Sequence, residues 1–370
     1  MVRVSIFLIA VALMAGMVGC GPTYPPSQNL EIRDWYDLDA VRENLRGHHI
    51  LMNDLDYTTA GYEELASPTA NEGKGWEPIG TLLKGGDRLT GTLDGQGYEI
   101  RDLFINRPDE YCVGLFGVVG QEGVVENIGA VNVTVTGRGN VGGLVGENDG
   151  TVSNSYSTGN VTGKLGVGGL VAYNHGGTVS NSYSTGNVTG YEYVGGLVGW
   201  NDGAVSNSYS SANVTGNRRV GGLVGENVGY YNYEGTVSNC YAIGSVTGKS
   251  AVGGLVGENA GYYNYEGTIS NCYAIGSVTG EAYVGGLVGL NSGIQEDYPA
   301  IVSDSFWDTK TSGHATSDGG TGKTTAEMKD IATFSGAAWD ICAVNHGSTN
   351  PAYTWNIING VTYPFLSWQS

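Results

Sequence analysis

Val141-Gly-Gly-Leu-Val-Gly-Glu-Asn148 returns downstream as Val167–Asn174, Val194–Asn201, Val220–Asn227, Val252–Asn259 and Val284–Asn291, with starts 26, 27, 26, 32 and 32 residues apart. A second phrase follows each of the first copies, Thr151-Val-Ser-Asn-Ser-Tyr156 after the first and Thr236-Val-Ser-Asn-Cys-Tyr241 later. A third, Asn160-Val-Thr-Gly163 or Ser245-Val-Thr-Gly248, closes the unit. Repeats of this period stack, because one unit cannot bury its apolar face alone. The three phrases are short, β-branched and parted by Gly, Asn and Asp, which opposes helix and suits strands and turns. Three strands and three turns per coil predict an all-β chain wound as a parallel β-helix, right-handed because parallel crossovers are.

In such a stack every position lies about 4.8 Å from its counterpart in the next coil, so columns read as ladders. Asn127, Asn154, Asn181, Asn207, Asn239 and Asn271, followed by Asp304, form one column. An amide donates and accepts, so this column is expected to be a structural Asn ladder. Ile128, Ser155, Ser182, Ser208, Cys240, Cys272 and Ser305 are expected to face inward, and Tyr156, Tyr183, Tyr209, Tyr241, Tyr273 and Phe306 to stack outside or half-buried. Cys240 and Cys272, one coil apart, are expected to be two thiols packed as small hydrophobes, with a disulfide as the alternative.

These phrases resemble the GLUG repeat of bacterial and archaeal surface proteins, from Gly91-Thr-Leu-Asp-Gly95 and Val113-Gly-Leu-Phe-Gly117 to Trp307. The resemblance implies a secreted or surface-attached β-solenoid. Some IgA-cleaving metallopeptidases carry similar repeats beside a zinc domain, but no His-Glu-x-x-His occurs in this chain, so that activity is not carried over.

The remaining sequence fits this frame. Sixty-three Gly and 14% charged residues in 370 suit tight turns, and 40% hydrophobic content is enough for a core. The net charge of −19 argues against nucleic acid as a partner, which needs clustered Lys and Arg. Residues 1–20 read as a lipoprotein signal peptide: Arg3, an apolar run, then Met17-Val-Gly-Cys20, which resembles a lipobox and implies a diacylated Cys20 and a membrane partner. Residues 21–30 read as a tether, 31–104 as an N-terminal cap and first irregular coils, 105–307 as the repeat β-helix, and 308–370 as a mixed C-terminal cap.

The N-terminal cap is expected to hold a short helix with Asp37 as N-cap, its apolar face carried by Leu38, Val41 and Leu45. His48 and His49 read as surface turn residues, not metal ligands. Gly319–Thr324 reads as a flexible loop that lacks the full phosphate-loop pattern, leading to a capping box at Thr324–Glu327 and a helix through Ile331. The aromatic-rich segment from Tyr353 to Trp368 reads as strands folding back over the last coil.

Two coils carry inserts, Val228-Gly-Tyr-Tyr-Asn-Tyr-Glu-Gly235 and Ala260-Gly-Tyr-Tyr-Asn-Tyr-Glu-Gly267, in place of Asp149-Gly150. Tyr230, Tyr231, Tyr233, Tyr262, Tyr263 and Tyr265 should therefore share one corner. They form an aromatic patch for a glycan or surface-protein ligand, or loops that merely pack on each other. Asn132, Asn160, Asn187 and Asn213 start Asn-Val-Thr acceptor patterns that are equally part of the repeat. Glu147, Glu226 and Glu258 read as a solvated edge, and no catalytic constellation, metal set or cofactor motif emerges. The expected function is a non-catalytic, lipid-anchored adhesion or envelope-contact protein on the outer face of the cell envelope. A β-helix polysaccharide hydrolase or lyase, and a passive structural protein, are the alternatives.

Overall fold

The computed structural model describes residues 30–81, 87–230, 232–262, 265–293 and 300–369. The signal peptide, Cys20, the tether up to residue 29, Tyr231 and Tyr263 lie outside them. The chain winds as a right-handed parallel β-helix with three faces. One face stacks ten strands, from Leu30–Ile32 and His48–Leu51 through Thr151–Ser153 and Thr178–Ser180 to Ile301–Ser303. A second stacks seven, from Phe116–Val119 through Val145–Asn148 to Val288–Gly293. The third carries the Tyr-Ser and Asn-Val-Thr phrases and the first half of Val-Gly-Gly, with Tyr156 in register with Tyr183 and Val161 with Val188.

The quoted octapeptide is not one strand. Leu165–Gly168 lies on the third face and Val171–Asn174 on the second, with a bend at Gly169-Leu170 between them. A Cβ on Gly169 would stand 2.0 Å from the Gly196 carbonyl oxygen, so the corner admits only glycine. Inside, Val152, Val161, Val167, Leu170 and Val171 and their counterparts in other coils are buried and build a continuous core.

The inward column is as expected: Ser155, Ser182, Ser208, Cys240, Cys272 and Ser305 are buried. Cys240 and Cys272 are free thiols, the Cys240 N–H donating to Cys272 Sγ at 3.4 Å. The outer tyrosines stack with centroids 4.7–5.0 Å apart and planes within 2–5°.

The Asn ladder needs correction. Asn127, Asn154, Asn181, Asn207, Asn239 and Asn271 all have φ between +48° and +54°. Their column makes a left-handed corner, which Asn tolerates. Among the described residues of this column, only Asn154 Nδ2 to Asn127 Oδ1, 3.2 Å, joins two amides. The continuous ladder is the last residue of the octapeptide instead. Asn148, Asn174, Asn201, Asn227 and Asn259 each donate to the next Oδ1 at 2.7–2.9 Å, ending on Asn291, and all but Asn291 are buried. Each also donates to a carbonyl across its own turn, Asn201 to Gly203 and Asn227 to Gly235.

The ends differ from expectation in detail. The helix is Trp35–Ala40, capped by Asp34, whose Oδ1 accepts from the Asp37 N–H at 2.8 Å. Asp37 accepts in turn from the Arg33 N–H at 3.0 Å, so it completes the cap but does not start the helix. His48 is exposed, but His49 is buried in the strand His48–Leu51, its Nε2 2.9 Å from the Asn44 carbonyl. Strand alternation, not a turn, governs this pair. At the other end, Thr321–Lys323 is a strand paired with Phe306–Asp308, adding a rung where a flexible loop was expected.

The capping box forms, Thr324 Oγ1 donating to Glu327 Oε2 at 2.7 Å, but the helix breaks at Asp330, which caps a second one, Ile331–Ser335. The final strands do not close the end of the rod. Trp339, Trp355 and Leu366 lie along its side and bury Tyr241, Tyr273 and Phe306.

Candidate functional site

Gly199 and Gly225 point inward, where a Cβ would lie 2.5–2.6 Å from backbone atoms of neighbouring coils. The next residue therefore faces out. Val118, Glu147, Tyr173, Trp200, Glu226, Glu258 and Leu290 thus form one outward column in parallel register. Beside it runs a left-handed column that includes Cys112, Asn140, Tyr193 and Arg219, with φ of 48–57°.

The expected solvated edge of acids is not what forms. Glu147, Glu226 and Glu258 are 7%, 4% and 5% exposed, because the left-handed neighbours lean over them. Arg219 is the centre of one cluster. It reaches Glu192 through Nη1 at 2.6 Å, Glu258 through Nε at 2.6 Å and Glu226 through Nε at 3.4 Å, and lies over the Tyr193 ring at 5.0 Å. Burial opposes the Arg219 charge, but Glu226 and Glu258 hold its pKa above the ordinary value. Burial pushes Glu226 up to about 8 despite Arg219, with Glu258 adding like-charge repulsion.

A second cluster lies on the earlier coils. Tyr173 Oη donates to Asp202 Oδ2 at 2.9 Å and stands 2.7 Å from His175 Nδ1. Asp202 also lies 3.1 Å from His175 Nδ1 and accepts from the Gly176 N–H at 2.8 Å. The hydrogen bond to Asp202 raises the His175 pKa. Arg88 pairs with Asp149, whose Oδ1 is buried with no partner. Burial, then Asp149, raises the Glu147 pKa, and burial pushes Cys112 up to about 12. Between the clusters, Trp200 stacks on Tyr173 at 5.0 Å and Tyr193 at 5.1 Å.

The tyrosine inserts rise beside this column as tight hairpins. Tyr230 and Tyr233 exchange backbone hydrogen bonds at 2.9 and 3.1 Å, and Tyr262 and Tyr265 do the same at 3.1 Å. Tyr230 meets Tyr262 edge to face at 6.1 Å, and Tyr265 Oη donates to Asn232 Oδ1 at 2.7 Å. All four described tyrosines are half-buried, so the hairpins do pack on each other. Tyr233 also leans back over the rod, its ring 5.0 Å from His175. This leaves a groove of about 340 Å³ lined by Tyr233, Tyr265, Asn232, Glu234 and Asp202. The sequence brought the tyrosines to one corner; it missed Asp202, which matches Asp149 of the plain turn, and Tyr173, Trp200 and His175, which differ from the other copies at their positions. That departure was the available signal.

Among the described residues, no group of His, Cys, Asp and Glu has the arrangement of a metal site, and no helix is long and apolar enough to cross a membrane.

Residues 137–162, 163–189, 190–215, 216–247 and 248–279 each match the GLUG motif. Over 160 residues the chain is 34% identical to halomucin of Haloquadratum walsbyi, covering 43% of this chain and 2% of halomucin. Over 122 residues it is 39% identical to a candidate Gly-rich membrane protein of Evansella cellulosilytica, covering 32% and 13%. The chain thus spans a small part of both relatives. A crystal structure of a candidate immunoglobulin A1 protease from Bacteroides ovatus superposes with a TM-score of 0.52 over 92% of both chains at 20% identity, a likeness of fold alone.

Proposed function

Because residues 137–279 are five successive GLUG motifs on a parallel β-helix, we propose that the protein is a lipid-anchored, non-catalytic solenoid of the cell surface that works in adhesion or envelope contact. The names of the two relatives, halomucin and a Gly-rich membrane protein, support placement at the cell envelope. One observation carries the contact role: the groove under the tyrosine hairpins, where Tyr233 and Tyr265 offer ring surface beside Asp202, Asn232 and Glu234. Rigid tyrosines with polar neighbours suit a glycan, which presents apolar ring faces and hydroxyls together.

The non-catalytic reading is supported by how the acids of the two buried clusters are engaged. Asp202 is held by Tyr173 and the Gly176 amide, Asp149 by Arg88, and Glu226 and Glu258 by Arg219. A hydrolase or lyase needs a carboxylate left to meet substrate. Release of reducing or unsaturated ends from polysaccharides by the purified protein would turn the reading to catalysis.

A glycan array comparing the natural protein with a variant in which Tyr230, Tyr231, Tyr233, Tyr262, Tyr263 and Tyr265 are serine tests the contact role. Loss of signal supports it, and equal signal removes it. Metabolic labelling with an alkyne fatty acid, present in the natural chain and absent from Cys20→Ser, tests the anchor.

A further inference from the structure

Two further concavities lie at another corner, the one built by the left-handed asparagines. One, of about 440 Å³, is bounded by Asn154, Asn181 and Asn207 on the rod and by Tyr353 and Trp368 on the C-terminal cap. The other, of about 490 Å³, continues from Asn154 to Asn127 and Tyr156. They share Asn154, so together they form one trench along the rod axis. Its four asparagine rungs span about 14 Å at the coil spacing of a parallel stack.

We propose that this trench binds a neutral polysaccharide chain lying parallel to the rod. Asn127 donates to Asp94 at 2.9 Å and accepts from Asn154, whereas among the described residues no side-chain hydrogen bond engages Asn181 or Asn207. The left-handed backbone of these asparagines fixes the side chains at the corner, and just one bond joins two of them. Asn207 Oδ1 is buried in the trench wall with no hydrogen-bond partner. A row of groups that both donate and accept, repeated once per coil, matches a chain of hydroxyl-bearing rings.

The opposite wall supplies ring surface. Trp368 and Tyr353 are 37% and 39% exposed. Trp368 is already fixed, its Nε1 donating to the Asn207 carbonyl at 3.1 Å and its ring stacked on Tyr183 at 6.4 Å. A rigid aromatic loses little entropy on binding.

Charge and topology select the ligand. The described lining holds Asp94 and Asp340 and no Lys or Arg, which disfavours an anionic polymer. The strands flanking the trench are paired with neighbours on both sides, Thr151–Ser153 with Val124–Glu126 and Thr178–Ser180, so no open edge invites a peptide strand. This site is separate from the hairpin groove and does not depend on it.

Affinity electrophoresis of the full chain in gels containing neutral polysaccharides (a β-glucan, a xylan and a mannan) or anionic ones (alginate and polygalacturonate) tests the proposal. Retardation is expected in at least one neutral gel and in neither anionic gel. Asn154→Gly with Asn181→Gly removes two amides while keeping a residue that adopts positive φ, and should weaken retention at least tenfold, as should Tyr353→Ala. The six-tyrosine hairpin variant should bind normally, which separates this site from the adhesion groove. An unchanged far-UV spectrum and a cooperative melt show that the variants are folded. No retardation in any neutral gel, retention only in anionic gels, or unchanged retention by both trench variants would overturn it.

Discussion

Asn201 and Asn181 are the same residue type in adjacent phrases of the repeat, yet they hold opposite positions. Asn201 is buried, donates to Asn227 and Gly203, and accepts from Asn174. Asn181 sits at φ +49° on the outer corner. Asn201→Ala should cost about 1–3 kcal/mol in urea denaturation, because it takes the donor from the buried Oδ1 of Asn227 in the coil after it. Asn181→Gly should cost a few tenths of that, because Gly adopts the same backbone angles.

Glu226 adds a pH effect. Its carboxyl titrates near 8 when folded, against an ordinary value of 4.5, so the folded state holds the proton more tightly. Its contribution is therefore fully present below pH 4.5 and declines as pH rises to about 8. The stability of the natural protein relative to Glu226→Gln should fall across that window and level off above it, in melts run from about pH 4 to 9.

Both sets of asparagines recur visibly in the sequence, but only the set from Asn127 to Asn271 was expected to be a ladder. The ladder is the other set, because a left-handed residue resets the alternation of faces and nothing in its type announces it. The same reset hid the buried acids: Arg219 leans over Glu226 because its own φ is +53°.

At the scale of elements, the coil tolerates insertion because one clamp closes every turn. Asn148 reaches Gly150 across a two-residue turn, and Asn227 reaches Gly235 across the hairpin with the same side-chain amide. Deleting residues 229–234 joins Val228 to Gly235 and recreates the shorter turn. The variant should keep the far-UV spectrum and a cooperative melt, and lose the near-UV signal of the Tyr233–His175 contact. Collapse of the fold would show that the hairpins are structural elements and not appendages.

The hairpins' position followed from the spacing of the repeats, as did the strand content. The C-terminal cap did not, since Trp339 and Trp355 could close either the end or the side of a rod, and only the Tyr241–Tyr273–Phe306 column they cover distinguishes the two. Nor did the strand Thr321–Lys323, whose Gly-rich sequence favours a loop until the preceding coil offers it a partner.

The molecule as a whole is a one-dimensional stack, in which each coil touches mainly its neighbours. That shape explains why function is expected on corners and grooves: the interior is filled by valine and leucine columns, and a ligand has only the outside to meet. Nitroxide labels report the stacking most directly. Thr189, Thr215, Thr247 and Thr279 form one outward column in register on the third face. In a background with Cys20 and Cys342 replaced by serine, labels at Thr189 and Thr215 should lie about 5 Å apart and show strong exchange and dipolar broadening, whereas labels at Thr189 and Thr279 should lie about 14 Å apart and show weak broadening. Equal spectra from the two pairs, or the stronger coupling at Thr189 and Thr279, would contradict a parallel β-helix with one repeat per coil.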